Sequence, residues 1–95
     1  MEDIVEQKLS ALLTEPVEKL RLLPEFSQQE VVVDGKKIAL ATYHEILKNG
    51  SHRIVVQASR ERWGGIVAGV AVGGYELSDT DDPRKLRADE LYDYT

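Results

Sequence analysis

Few residues in this chain are of a type that performs chemistry unaided, and their spacing decides what each is suited to. The sequence has two histidines, His44 and His52, and no cysteine. Metal sites need convergent ligands. His44 falls inside a strand pattern and His52 beside a turn, so they are expected on different parts of a ladder. Each reads as a packed or hydrogen-bonded side chain, not a ligand. Asp79-Thr80-Asp81-Asp82 has the opening of a calcium loop, with Glu90 eleven residues after Asp79. The pattern then fails, because Pro83 takes the fifth position and Arg84 the sixth, where the loop requires glycine. A turn that feeds a helix N-terminus accounts for these acids, since carboxylates are favourable there.

The glycines offer no phosphate cradle. Gly65, Gly69 and Gly73 recur every fourth residue, but no GxGxxG or Gly-Lys-Ser/Thr follows a strand into a helix. No serine stands in a nucleophile elbow, and no carboxylates are paired across strands. These absences lead us to expect no catalytic residue, metal or cofactor, and so a non-enzymatic protein. The best cluster is Arg60, Arg62 and Trp63. An aromatic flanked by guanidinium groups suits stacking on a base or anchoring a protein interface.

Composition narrows the classes further. Ninety-five residues, 42% apolar and 31% charged, suit a single globular domain over 1–95. No apolar run approaches the ~20 residues a membrane span needs. The acidic N-terminus lacks a signal-peptide layout. With no cysteine, the expected location is the cytoplasm. The net charge of −5 argues against bulk binding to nucleic acid. The charge is unevenly placed: residues 35–62 carry six basic and two acidic side chains, whereas residues 1–30 and 76–95 each carry three basic and seven acidic ones. A basic middle either complements acidic ends within one fold or meets an anionic partner.

The elements that position these residues follow from periodicity. Val5, Leu9, Leu12 and Leu20 recur at helical spacings, with Pro16 interrupting them. The expectation is a helix near 2–13, a break at Thr14-Glu15, a cap from one of those two, and a short helix near 16–22. From residue 30 the period becomes that of a strand. Val31-Val32-Val33, Asp34-Gly35 and Lys36 onward form a hairpin signal with a two-residue turn, setting Val33 opposite Lys36 and Val31 opposite Ile38. The core face of the second strand is then Ile38, Leu40, Thr42, His44 and Ile46.

Turn length at Lys48-Asn49-Gly50 is set by what it does to the next strand. A three-residue loop with Gly50 in a left-handed conformation puts Ile54 opposite His44 and Val56 opposite Thr42, keeping apolar residues on one face. It also sets Arg53 opposite Glu45 as an expected outer-face ion pair. A fourth strand spans 66–77, bent at its glycines, and Pro83 opens a last helix over 83–93 capped by Asp82.

The expected fold is α+β: an N-terminal helix or kinked helix pair, a four-stranded antiparallel β-meander, and a C-terminal helix. Its outer sheet face carries Lys37, Tyr43, Arg53 and Gln57, which join Arg60, Arg62 and Trp63 as the candidate binding residues. The function expected first is a binding or accessory module acting through protein–protein contact. The alternative is a nucleic-acid or other polyanion binder using that basic face. Residues 66–77 are apolar or small on both faces, so a homodimer through this strand is expected, with Val67 and Ala71 on its exposed side; the competing expectation is that the C-terminal helix covers the second face through Leu86, Leu91 and Tyr94 and leaves a monomer.

Overall fold

The computed structural model describes residues 2–61, 67–78 and 83–94, with residues 17, 61, 67–69 and 93 described by their backbone alone. The chain is α+β. Helix α1 spans Glu2–Leu13 and is followed by the single turn α2, Val17–Leu20. An antiparallel sheet then runs in chain order through β1 (Phe26–Val33), β2 (Lys36–Ile46), β3 (His52–Glu61), β4 (Val67–Leu77) and the two-residue β5 (Arg84–Lys85). Helix α3, Ala88–Leu91, leads into a 3-10 turn over Tyr92–Tyr94.

Both hairpins take the expected register. Val33 stands opposite Lys36 and Val31 opposite Ile38, with Asp34 and Gly35 both at positive φ, as a two-residue primed turn demands. Across the second turn Ile54 faces His44, Val56 faces Thr42 and Ala58 faces Leu40. The three-residue loop is closed by Leu47 N–H donating to the Ser51 carbonyl at 2.8 Å, with Gly50 at φ +86°. A Cβ at Gly50 would meet nothing within 4 Å. Gly50→Val should therefore act through backbone strain alone, costing about 1–2 kcal/mol, and lower the denaturation midpoint accordingly. An unchanged midpoint would contradict the left-handed turn.

Helix α1 covers one face of the sheet. Val5 and Leu9 are buried against Ile54, Val56, Ala58 and Ala71, and Leu20 closes the layer. The expected core face of β2 holds from Ile38 to His44, but Ile46 at the strand end is 68% exposed, beyond the reach of the helices. Thr14 does not cap α2: its hydroxyl turns back and donates to the Ala11 carbonyl, finishing α1.

The C-terminal segment departs most from expectation. The helix expected over 83–93 is reduced to α3, and Arg84–Lys85 pairs with Tyr75–Glu76 as β5. Asp79–Asp82, the expected turn and cap, lie outside the described residues. Arg87 occupies the cap position of α3 instead. The reason lies in spacing. Leu86, Leu91 and Tyr94 do not share a helical stripe, but they do reach the second face of the sheet, where they pack on Val55, Val72 and Tyr43. Over the described part of this strand, Val72 is therefore covered on the second face. Ala71, expected outside, is buried under α1 opposite Ala58, and Val72 lies beneath the C-terminal segment. Val70 is exposed, Val67 has only its backbone described, and Ile66 lies outside the described residues.

Two adjacent glycines make this double covering possible. A Cβ on Gly73 would sit 3.1 Å from Val5 Cγ1 on the α1 side. One on Gly74 would sit 2.7 Å from the Ile54 carbonyl oxygen and 2.9 Å from Leu86 Cδ1 on the opposite side. Alternating faces of one strand thus admit a helix from below and the C-terminal segment from above.

Candidate interaction edge

Of the expected binding residues that the structure describes, three make contacts within the chain. Lys37 is exposed on the outer face beside Ala39, Gln28 and Glu30. Tyr43 is half-buried, its ring 5.2 Å from that of Phe26 and 5.4 Å from that of Tyr94. Gln57 Nε2 donates to the Tyr94 carbonyl at 2.7 Å. Arg53 does not take Glu45 as its ion-pair partner; it reaches Glu76 at 3.5 Å and Glu90 at 3.2 Å, and Glu45 accepts the Tyr94 hydroxyl. Arg60 stands opposite Ile38 near the far end of β3. Arg62 and Trp63 lie outside the described residues. Tyr43, Arg53 and Gln57, which composition placed on a basic face, thus hold the chain's own C-terminal segment.

Glu90 is the centre of that attachment. Arg84 donates to both of its carboxylate oxygens at 2.9 Å, Arg53 to one at 3.2 Å, and the Arg87 backbone N–H to the other at 3.1 Å. The Arg84 bonds, more than any other cause, bring its carboxyl down to about 2. The Tyr94 hydroxyl is pushed the other way, up to about 12, first by burial and then by the Glu45 carboxylate. The sign follows from each shift. A carboxyl depressed in the folded state stabilises above its usual value near 4.5 and loses that contribution as pH falls toward 2. A phenol raised in the folded state stabilises below 10 and loses its contribution as pH rises toward 12. The C-terminal segment should therefore loosen at both extremes while the α1 side holds. Amide exchange of Leu86 and Leu91 measures this, and Glu90→Gln should speed it at neutral pH. A protection factor at Leu86, taken relative to the unfolded chain at each pH, that is unchanged from pH 5 to pH 2 would contradict the attachment.

The histidines, expected apart, are together. Ile46 faces His52 in the ladder, so His44 and His52 are diagonal neighbours on the α1 face. His44 Nδ1 lies 3.0 Å from the Leu23 carbonyl and must carry the hydrogen it donates there. Nε2 of a neutral His44 is then the acceptor for an N–H at His52 Nδ1, 2.9 Å away. Both residues are buried, at 5% and 1% exposure, so this chain of bonds ties the segment after α2 to the sheet and presents nothing to a ligand outside. Among the described residues no group of three or more His, Asp or Glu side chains converges as a metal site.

Among the described residues, a long edge with unmet bonding capacity is strand β1, which ends the sheet on one side. In an antiparallel ladder, residues alternate between bonding one neighbour and the other. Glu25, whose carbonyl accepts from His44 N–H, and Val33 at the two-residue turn fix the parity. Ser27, Gln29, Val31 and Val33 bond β2, so Phe26, Gln28, Glu30 and Val32 aim their N–H and C=O groups outward. Glu30 is the only charged residue between Phe26 and Val33, and the strand holds neither lysine nor proline, the usual protections of an edge. Phe26, Val32 and Val33 are exposed on it at 51%, 65% and 38%. Leu22, just before it, is 83% exposed beside an open groove of about 380 Å³ lined by Leu12, Leu20 and Leu23. The hydrophobic run Val31–Val33 marked a strand in the sequence, but its place at the edge depended on the sheet order. No protein-family model matches the chain, and neither does any curated protein or solved structure.

Proposed function

We propose that the protein is a non-enzymatic interaction module, working in the cytoplasm, which binds another protein chain as an added strand beside β1. One observation carries this reading: an eight-residue edge strand with outward backbone groups, exposed apolar side chains and a single charge. Main-chain bonding supplies affinity in such recognition, and the alternate side chains supply selectivity. The cytoplasmic assignment is supported by the lack of cysteine and by the absence, among the described residues, of a helix long and apolar enough to cross a membrane. Polyanion binding by the outer face is the weaker reading, because Arg53 and Gln57 are engaged by Glu90 and Tyr94.

Position-specific crosslinking separates the two. A photo-crosslinking residue in place of Gln28 should capture a protein chain, and one in place of Arg60 should not. Capture through position 60 alone, of a nucleic acid and with steep loss on adding salt, would favour the polyanion reading and refute strand addition.

A further inference from the structure

We infer that the chain bound beside β1 is a second copy of this protein, its β1 antiparallel to the first and the two-fold axis passing through Gln29. This rests on the strand-addition reading and gives it an occupant. A two-fold axis normal to a sheet joins two identical edges into one continuous antiparallel sheet and keeps the helices of both copies on the same side. Only registers that centre the strand on one of its own residues satisfy that symmetry. Centring on Glu30 sets Glu30 directly against its own copy, a like-charge contact that destabilises. Centring on Gln28 sets Phe26 against Glu30 and leaves Val32 facing the region of Pro24, which has no N–H to give.

Centring on Gln29 makes every outward group meet a complement. Gln28 faces the second copy's Glu30, and Phe26 faces the second copy's Val32, each pair occurring twice by symmetry. Because all four residues aim their backbone groups outward, each such pair exchanges two hydrogen bonds. The two most exposed apolar side chains of the strand, Phe26 and Val32, thereby cover one another. On the helix side Ser27 faces Val31, and Gln29, which Lys8 Nζ approaches at 3.5 Å, meets its own copy amide to amide. β4 is the less suited strand for this role: Ala71 and Val72 are already covered from within the chain, and β5 bonds its edge at Tyr75 and Glu76.

The register predicts opposite effects from one position. Gln28→Lys places a cation against Glu30 at two symmetric sites and should tighten the dimer, whereas Gln28→Glu places a like charge there and should weaken it, each by about tenfold. Val32→Pro deletes an N–H that the single chain does not use, so it should give a folded monomer. Sedimentation of the full chain from about 5 to about 500 μM reads all three. Concentration-dependent dimerisation of the unmodified chain, strengthened by Gln28→Lys and weakened by Gln28→Glu, is the expected result. An unmodified chain that stays monomeric throughout overturns the pairing, while crosslinking from position 28 to a different protein would leave strand addition standing. A dimer indifferent to both Gln28 substitutions also overturns it, since the contact then lies elsewhere. Should Val32→Pro fail to fold, the Gln28 pair still decides.

Discussion

Gly74→Ala should be among the most damaging single-methyl changes in this protein, lowering stability by about 2–3 kcal/mol and the melting temperature by roughly 10–20 °C. The added Cβ has no free direction. It would stand 2.7 Å from the Ile54 carbonyl oxygen, 2.9 Å from Leu86 Cδ1 and 3.0 Å from Val55 Cγ2. The first of these is backbone, so relief requires β3 and β4 to separate locally. Leu86 N–H also donates to the Gly74 carbonyl at 2.9 Å, and a shift there loosens the C-terminal segment as well. Gly73→Ala is the matched control. Its Cβ would meet the side chains of Val5 and Leu9 at 3.1 and 3.2 Å, which can give by a few tenths of an ångström, and it should cost about 1 kcal/mol. Equal melting temperatures for the two variants would contradict the account of how both faces are covered.

His44→Leu should cost about 2–4 kcal/mol despite adding apolar bulk to an apolar layer. The imidazole satisfies the Leu23 carbonyl on one side, in part-buried surroundings, and faces His52 Nδ1 on the other, in buried ones. Removing one member of a buried polar chain leaves the desolvation of the groups it served, which is worth more than the net value of the bonds themselves. The double variant His44→Leu with His52→Leu should therefore cost less than the sum of the two single changes, by about 1 kcal/mol or more. Chemical denaturation of the four proteins in this cycle checks it. Strict additivity would mean that the two rings do not act as a unit.

The parts of this fold legible from the chain alone are those governed by local rules. Turn length followed from Asp34-Gly35 and from Gly50, and the strand registers followed because a slip would have moved Ile54 and Val56 off the face that carries Ile38 and Leu40. The histidine pair was contained in that same register: setting Ile46 opposite His52 puts His44 on the same face two residues away. It is obscured when the two residues are compared by position along the chain and not by face. The C-terminal segment was less accessible because its structure is dictated by what it lands on. Leu86, Leu91 and Tyr94 make a poor helix and a good cover for Val55 and Val72, and tertiary contact prevails over the local pattern after Pro83. The contacts that engage the outer face escaped the sequence for a related reason. Composition counts Arg53 as a cation available to a partner, but Glu76 and Glu90 come from β4 and α3, distant in sequence. The edge strand needed the sheet order, since nothing within Phe26–Val33 says that only one side of it is paired.

Amide exchange along β1, measured residue by residue in the isolated chain and in the complex it forms, tests the strand-addition proposal most directly. In the isolated chain the outward amides of Gln28, Glu30 and Val32 should exchange fast and those of Gln29, Val31 and Val33 slowly, an alternation set by the ladder with β2. In the complex the outward set should slow to match its neighbours, with little change on β3. Slowing confined to other strands, with Gln28, Glu30 and Val32 still exchanging fast, would contradict binding at this edge.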